Sequence, residues 1–249
     1  MDRLTAFLDT FKLTASVAES PVQLAGPCLL LVGTDTQRGG RVLLRVQGAG
    51  ELPPGLRLAV AIEFDNATNP LMAAMPDEVS ASLQDGPSLR STAQALLCEA
   101  TGDRCGRAGA LNRLAEVMVL MMLREAIEAG ASRPGIFAAL AHPGLYQAVV
   151  SMHDLPARAW TVEDLAALAT MSRTHFMTTF HKVAGTTPMA YLTAWRLTLA
   201  RRHLQAGDAV KSVSRRVGFG SAAAFSRAFS PAYGQPPASY RLCDAGMRN

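Results

Sequence analysis

The chain has 249 residues with a formal net charge of +4, and 49% of its residues are hydrophobic. This length permits one large domain or two smaller ones, and the composition is that of a globular protein. The longest strongly apolar run, residues 117–123, is too short to span a membrane, and charges interrupt the first residues where a secretory signal needs an apolar core. We therefore expect a cytosolic protein without membrane insertion.

Charge is divided unevenly along the chain. Residues 1–144 carry 12 Lys and Arg against 15 Asp and Glu, a net −3, whereas residues 145–249 carry 12 against 5, a net +7. A basic half suggests that this end binds a polyanion, and nucleic acid is the simplest candidate. A solvated basic surface is the alternative explanation of the charge alone.

The front part predicts a small β region followed by helices. Gly and Pro clusters separate three candidate strands, at 28–32, 41–47 and 57–64. A helical pattern begins near residue 88 and continues through a long apolar helix to about residue 130. An apolar surface on almost every side must be buried in the domain core or against another subunit. We favour a homodimer contact over the core, made by Val117, Leu120, Met121 and Leu123.

Residues 132–144 predict a connection, because Pro and Gly residues mark both of its ends. We expect one domain over 1–134, with its helical segment at 88–130, and a second domain over 143–243. In the second domain every segment predicts a helix, with N-caps at Thr161, Ser172 and Ser221 and helix exits at Gly185, Gly207 and Gly234. The predicted fold class is α+β, with a small β-rich N-terminal domain followed by an all-α domain.

The basic half contains an internal repeat. Six identical pairs recur at an offset of 49: Ser172/Ser221, Phe176/Phe225, Phe180/Phe229, Gly185/Gly234, Pro188/Pro237 and Tyr191/Tyr240. Apolar positions before them recur at an offset of 48, so that Gly220 is one extra residue in the second copy: Val162/Val210, Leu165/Val213, Ala169/Val217 and Met171/Phe219. Each copy is a short helix, a turn and a second helix opened by Ser, which is a helix-turn-helix outline.

The two phenylalanines of each copy lie one helical turn apart, so we expect them in the core rather than as a platform for bases. The opposite face then carries the candidate base-reading residues: Arg173, Thr174, Met177, Thr178 and His181 in the first copy, and Ala222, Ala223, Ser226 and Arg227 in the second. Alanines permit close approach within a major groove about 12 Å wide and contact thymine methyls, while Arg can bind guanine O6 and N7 together. Helix propensity is the alternative explanation for the run of alanines.

Candidate phosphate contacts lie around these helices. They comprise the N-termini capped by Ser172 and Ser221 and six basic side chains: Arg196, Arg201, Arg202, Lys211, Arg215 and Arg216. Such contacts would set the register of the protein on duplex DNA. Several of the six are expected to be ordinary solvated charges.

These motifs resemble those of the AraC/XylS family of bacterial transcription regulators. The resemblance covers roughly residues 145–242 and is carried by WTVEDLAALATMSRTHFMTTFHKVAGTTPMAYLTAWRLTLARRHL and VSRRVGFGSAAAFSRAFSPAYGQPPASYR. It implies two helix-turn-helix units, joined rigidly by a long helix at Pro188–Gln205, that enter successive major-groove turns on one face of promoter DNA. Pro231 departs from the family pattern and, because it lacks an N–H, should strain or shorten its helix.

The front part more weakly resembles the cupin-like N-terminal modules that some family members use for sensing and dimerisation. No histidine precedes His142, so the His-rich metal cluster of enzymatic cupins cannot be built there, and we expect no metal or other cofactor. The resemblance implies regulation by a small-molecule effector or by cysteine oxidation. An architectural DNA-binding protein without a sensing role is the alternative.

No metal-site spacing connects the four cysteines, Cys28, Cys98, Cys105 and Cys243. Cys105 is the better redox candidate, with Cys98 or Cys28 as its partner, because two glycines should break the helix around it and two arginines flank it: Gly102, Gly106, Arg104 and Arg107. An enzyme with Cys105 as nucleophile is the least favoured hypothesis, because no histidine upstream of His142 offers a base.

Overall fold

The computed structural model of the chain describes residues 13–18, 24, 26–33, 39–46, 51–64, 77–84, 86–128 and 134–242. They divide into two compact units, one comprising Phe11–Ala141 and the other containing His142–Asn249. The first unit combines a β-sheet with helices, and the second is helical throughout its regular elements. The predicted α+β fold class is confirmed. Cys243 lies outside the described residues.

An antiparallel five-stranded sheet forms the first unit, in the order β1-β4-β2-β3-β5. Its strands are β1 (Leu13–Val17), β2 (Cys28–Val32), β3 (Arg41–Arg45), β4 (Leu56–Phe64) and β5 (Glu78–Ser82). Strand β2 is buried along its whole length and pairs with both β3 and β4. The three predicted strands are present with slightly different ends. Strand β1 was not predicted, and β5 has only one residue of strong strand propensity, Val79.

Two helices cover this sheet, α1 (Pro87–Thr101) and α2 (Arg107–Glu128). Helix α2 packs against α1 and against both edge strands, β1 and β5. Met118, Met122 and Leu123 are therefore fully inaccessible within the unit. Our assignment of Leu123 to a subunit contact is wrong, because this side chain faces the core of its own unit. By contrast, Val117 is 44% exposed.

The segment that we predicted as a connection contains a helix, α3 (Ile136–Ala141). Its apolar residues Ile136, Phe137, Ala139 and Leu140 are buried, and the helix packs against α2. The Pro and Gly residues mark the two ends of this helix. Six apolar residues between them suffice for a short helix when a neighbouring element covers them.

The second unit contains the seven predicted helices: α4 (Tyr146–Asp154), α5 (Val162–Leu168), α6 (Arg173–Ala184), α7 (Pro188–Gln205), α8 (Val210–Arg216), α9 (Ala222–Tyr233) and α10 (Pro237–Leu242). The predicted N-caps and exits are present, and Gly185 and Gly234 end their helices in the left-handed conformation. In the described part of the chain, no helix has the length and hydropathy that crossing a membrane requires.

Candidate nucleic-acid interface

The first helix pair consists of α5, α6 and the turn between them, and hydrogen bonds define both helix starts. Thr161 Oγ1 accepts the Asp164 amide at 3.1 Å, and the Asp164 carboxylate accepts the Thr161 amide at 3.0 Å. The second of these bonds is the main cause that lowers the pKa of Asp164. Helix α6 starts after Ser172, whose Oγ accepts the His175 amide. In the turn, Thr170 adopts a left-handed conformation with φ of +53°.

Helix α6 buries one face and exposes the other. Phe176 and Phe180 are inaccessible, as predicted, and their ring centroids lie 5.7 Å apart. The candidate base-reading residues lie outside this core, all exposed except the half-buried Met177: Arg173, Thr174, Met177, Thr178 and His181. The helix therefore presents a mostly polar surface opposite its buried rings.

An ion pair holds the first residue of α6. Arg173 Nε lies 2.9 Å from Glu163 Oε1 of α5, and both side chains are exposed. Exposed ion pairs contribute little to stability, and this one places the Arg173 guanidinium beside α5. The corresponding residues of the second copy are Lys211 and Ala222. Glu163 was absent from our predicted site, although the repeat aligns it with Lys211, which was included.

The second helix pair consists of α8, α9 and their turn, and it repeats the same construction. Phe225 and Phe229 are inaccessible, with ring centroids 5.3 Å apart. Ser221 Oγ accepts the Ala224 amide at 3.0 Å at the start of α9. Gly218 adopts a φ of +86° in the turn, at the position that Thr170 occupies in the first pair. The two copies therefore share the Ser cap of the second helix, the core rings and a left-handed turn residue, whereas α8 begins after Ala209 without the side-chain cap that Thr161 gives α5.

The outer face of α9 is small apart from one arginine. Ala223 and Arg227 are exposed, while Ala222 and Ser226 are half-buried. Pro231 lies within the last part of this helix, which has 12 residues, as many as α6. The expectation of a shortened helix is wrong, because a proline so near the end removes only one helix hydrogen bond.

Helix α8 carries a basic surface. Lys211, Arg215 and Arg216 are all exposed. Arg216 Nη1 lies 2.7 Å from Asp208 Oδ2 and 3.2 Å from His203 Nδ1. Burial is the largest cause that lowers the pKa of His203, followed by the charge of Arg216. Arg216 is thus partly neutralised, while Lys211 and Arg215 leave their charge on the surface.

Arg196, at the middle of α7, is bound within the unit. Its Nε donates to the Pro156 carbonyl at 2.7 Å, and its Nη2 donates to the Arg158 carbonyl at 2.8 Å. Burial lowers the pKa of Arg196. These contacts disfavour the predicted phosphate contact, because the guanidinium would have to leave two carbonyls to reach DNA.

The repeat extends to the helix that precedes each pair. At an offset of 48, α4 corresponds to the second half of α7, with buried apolar residues in both: Val149/Leu197 and Met152/Ala200. The same offset relates His153 to Arg201. His153 contacts the Tyr191 hydroxyl through Nε2, and the Arg201 guanidinium lies 5.4 Å from the ring centroid of Tyr240, the counterpart of Tyr191. Each copy is therefore a three-helix unit followed by a tyrosine.

These two polar residues have different surroundings. His153 is buried and stacks on Trp195 with ring centroids 4.1 Å apart, and burial lowers its pKa from 6.5 to about 3. Arg201 is half-buried and also lies 5.3 Å from the ring centroid of Tyr233. Each residue packs inside its own copy of the repeat. Arg201 was predicted as a phosphate contact, and its packing disfavours that role; Arg202, the next residue, is half-buried.

The redox candidates lie in the first unit. Cys98 is exposed on α1, and Cys105 is exposed in the turn between α1 and α2, where Gly102 and Gly106 separate the helices as predicted. Cys28 is buried at the start of β2, and burial raises the pKa of its thiol. A raised pKa disfavours the reactive thiolate. Cys28 is therefore a poor partner in any thiol chemistry.

The two arginines beside Cys105 are directed to the end of α1. Arg107 donates to the Glu99 carbonyl at 3.1 Å and to the Ala100 carbonyl at 2.6 Å, while Arg104 Nη1 lies 3.6 Å from Glu99 Oε2.

No group of three or more metal-ligating side chains occurs among the described residues. A half-open pocket of about 10 Å³ in this unit is at the lower limit of the space that one water molecule needs. Its lining is Leu31, Val32, Gly33, Gly40, Arg57, Leu83 and Leu97.

Known proteins resemble the chain in both units. A helix-turn-helix domain model matches residues 165–242, and a cupin model matches residues 15–128. An uncharacterized HTH-type transcriptional regulator from Haemophilus influenzae is 30% identical over 207 residues, which are 83% of this chain and 69% of that protein. A putative AraC-like transcription regulator from Streptomyces lividans is 42% identical over 130 residues. The chain belongs to the AraC/XylS family of transcriptional regulators.

The two model matches place a cupin module before a helix-turn-helix domain in this chain. The 130 residues that match the S. lividans regulator are 51% of this chain and 43% of that protein, so the chain spans less than half of that relative's length. The solved DNA-binding domain of AdpA, a global transcriptional factor in complex with a target DNA, is 33% identical with a TM-score of 0.39, over 41% of this chain and 92% of that one. ToxT from Vibrio cholerae, bound to an unsaturated fatty acid, is 12% identical with a TM-score of 0.47, over 96% and 97%.

Proposed function

We propose that this AraC-type regulator reads two successive major-groove segments of promoter DNA, with α6 in one segment and α9 in the next. The observation that carries the proposal is the shared construction of the two helix pairs. Each second helix begins at a Ser cap, buries two phenylalanines and leaves the opposite face outside the core. Two such helices suit DNA segments about one helical turn, ~10 bp, apart.

In this proposal the outer faces of α6 and α9 read bases. Arg227 is exposed among small neighbours, so its side chain can extend to guanine O6 and N7, while Ala222 and Ala223 permit close approach and contact with thymine methyls. Ser226 offers a hydroxyl as donor or acceptor beside them. In α6 the same task falls to Arg173, Thr174, Met177, Thr178 and His181.

Phosphate contacts are proposed for the helix N-termini at Ser172 and Ser221 and for four basic side chains: Arg202, Lys211, Arg215 and Arg216. The exposed charges on α8 support this assignment. Arg196 and Arg201 are left out, because the first binds two carbonyls and the second packs over two tyrosine rings. These contacts would position the protein without selecting a sequence.

Hydroxyl-radical footprinting tests the reading by two helices. The probe is a duplex that the full chain enriches from a randomised library. We expect two protected segments on one face of the duplex, about 10 bp apart. Arg227→Ala should weaken protection in one segment, and Arg173→Ala should weaken it in the other. Protection of a single segment would contradict the assignment of α6 and α9 to separate sites.

Homodimerisation through the first unit is a second part of the proposal. Val117 is exposed on α2, and Leu120 and Met121 beside it are half-buried. Thr92 Oγ1 of α1 donates to the Met121 sulfur at 3.8 Å, so α1 borders this surface. An exposed apolar surface of this kind favours contact with a second copy.

Val117→Asp tests the dimer, with Ala108→Asp at another exposed position of α2 as its control. A carboxylate within an apolar contact lacks a partner, so Val117→Asp should give monomers while the control stays dimeric. Sedimentation equilibrium measures both. A parent chain that is monomeric, or a Val117→Asp variant that remains dimeric, would place this surface outside any subunit contact.

Regulation through the cupin module completes the proposal, by a small molecule or by oxidation of Cys105 with Cys98 as partner. The exposure of both thiols beside one helix break supports the second route. Oxidant-dependent DNA binding should then be lost in Cys105→Ser, with mass spectrometry identifying the linked thiol. Equal responses of variant and parent would leave a small-molecule effector as the signal. An architectural role without effector predicts no response to either.

A further inference from the structure

The segment between α4 and α5, residues 155–161, is braced by its own contacts, and we refer to it as the α4–α5 loop. Trp160 Nε1 donates to the Leu155 carbonyl at 3.0 Å, and the Trp160 amide donates to the Arg158 carbonyl at 2.9 Å. The Arg158 guanidinium lies 4.0 Å from the centroid of the Trp160 ring. The loop therefore has a defined shape before it meets any other element.

The connecting helix α7 holds this loop from its midpoint. The two bonds from Arg196 reach carbonyls of Pro156 and Arg158, which lie two residues apart in the loop. A planar guanidinium with donors in a fixed fork restrains both distance and direction. Because the α4–α5 loop leads directly into α5, Arg196 joins the start of the first helix pair to the connecting helix.

Gly218, in the turn of the second helix pair, touches the same loop. A Cβ added to Gly218 would lie 2.7 Å from the Ala157 Cα and 3.0 Å from the carbonyl oxygens of Ala157 and Pro156. These are backbone atoms, so a side chain here would displace the loop itself. The turn of the second pair thus rests directly on the segment that starts the first pair.

The backbone conformation of Gly218 is one reason for glycine at this position, although the corresponding residue of the first pair carries a side chain at a smaller positive φ. Thr170 carries a side chain at φ of +53°, whereas Gly218 has φ of +86°. Non-glycine residues occupy the left-handed region at a moderate cost. The close approach of the loop backbone is therefore a second and independent reason for glycine at 218.

We propose that the contacts of Arg196 and Gly218 with the α4–α5 loop set the separation of α6 and α9, so that the protein accepts two half-sites at one spacing only. This inference rests on the proposed reading of DNA by both helices. A connecting helix alone can bend, whereas attachment of one loop to both the helix and the second turn fixes the angle between the pairs. Arg196 and Gly218 are thus positioning residues.

Selection from duplexes with a randomised core of about 30 bp, roughly three helical turns, tests this inference. The full chain is compared with Arg196→Met, Gly218→Ala and the matched control Thr170→Gly. The parent and the control should enrich two motifs at one separation. The two loop variants should enrich the same motifs at several separations. Their affinity for a duplex lengthened by one base pair between the motifs should rise about tenfold relative to the parent.

Retention of the single separation by folded Arg196→Met would overturn the inference. Loss of both motifs by that folded variant would also overturn it, because Arg196 would then act in binding itself. Arg196→Lys keeps one donor nitrogen in place of the two that Arg196 uses, and it should give an intermediate spread of separations. If Gly218→Ala has no cooperative melting transition, the two Arg196 variants decide. Failure of the parent to enrich any pair of motifs would contradict the two-helix proposal instead.

Discussion

The two helix pairs of the second unit have the same scaffold and different surfaces. Glu163 of α5 pairs with Arg173 of α6, whereas the corresponding residues of the second copy are Lys211 and Ala222. The first pair therefore has a long, ion-paired side chain at the start of its second helix. The second offers small residues there and a positive charge beside them. The repeat preserves what builds the helix pair and varies what would meet DNA.

The largest expected effect concerns the shared core. Phe180→Ala and Phe229→Ala remove corresponding rings, each fully buried in its own copy. Such truncations cost about 3–5 kcal/mol of stability because a cavity replaces the ring. Denaturant unfolding of the two variants should show losses of similar size. A loss in one variant of less than half that in the other would mean that the two cores are not equivalent.

The next effect is a pH dependence of stability that His153 should cause and its counterpart Arg201 should not. Burial lowers the pKa of His153 from 6.5 to about 3, so between these values the unfolded chain takes up a proton that the folded chain does not. The stability that depends on His153 is therefore fully present above pH 6.5 and falls as the pH drops below it, by about 2 kcal/mol between pH 8 and pH 5. Comparing unfolding midpoints of the parent and His153→Gln should show that the variant lacks this share of the pH dependence. An identical slope in both would contradict a neutral His153.

Arg227→Ala should weaken sequence-specific DNA binding by the second helix pair. Loss of a bidentate contact with guanine costs about 1–3 kcal/mol and relaxes preference at one base position. Arg173→Ala should act likewise at a position in the other segment. Affinities for the enriched duplex and for single-base variants of it provide the measurement. Equal losses on enriched and random DNA would remove Arg227 from the base-reading residues.

The smallest effect concerns Glu163 and Lys211, which occupy corresponding positions and carry opposite charges. Lys211→Ala should weaken binding to all sequences alike and reduce the salt dependence by about one phosphate contact. Glu163→Ala should strengthen binding to random DNA, because it removes a negative charge. It should also relax the base preference that depends on Arg173. Titrations at several salt concentrations compare the two variants. In Arg173→Ala protein, Glu163→Ala should leave base preference unchanged.

The success of the sequence predictions varied with how local the signals are. Helix starts at Ser172 and Ser221 and the buried phenylalanine rings were predicted, because a cap and a spacing of one helical turn act within a few residues. Helix α3 was missed, since its apolar residues form a helix only where α2 covers them. Leu123 was misplaced for a related reason. An apolar helix surface does not reveal whether its own sheet or another subunit covers it.

The sequence by itself determined the repeated helix pairs, because identical residues at one offset impose the same local structure twice. Only the tertiary structure decided which basic residues remain on the surface. Arg196 is bound to carbonyls 40 and 38 residues away in the chain, whereas Lys211 and Arg215 are exposed. Burial of a charge depends on neighbours that folding brings close. The spacing of residues within one helix does not predict which distant residues these will be.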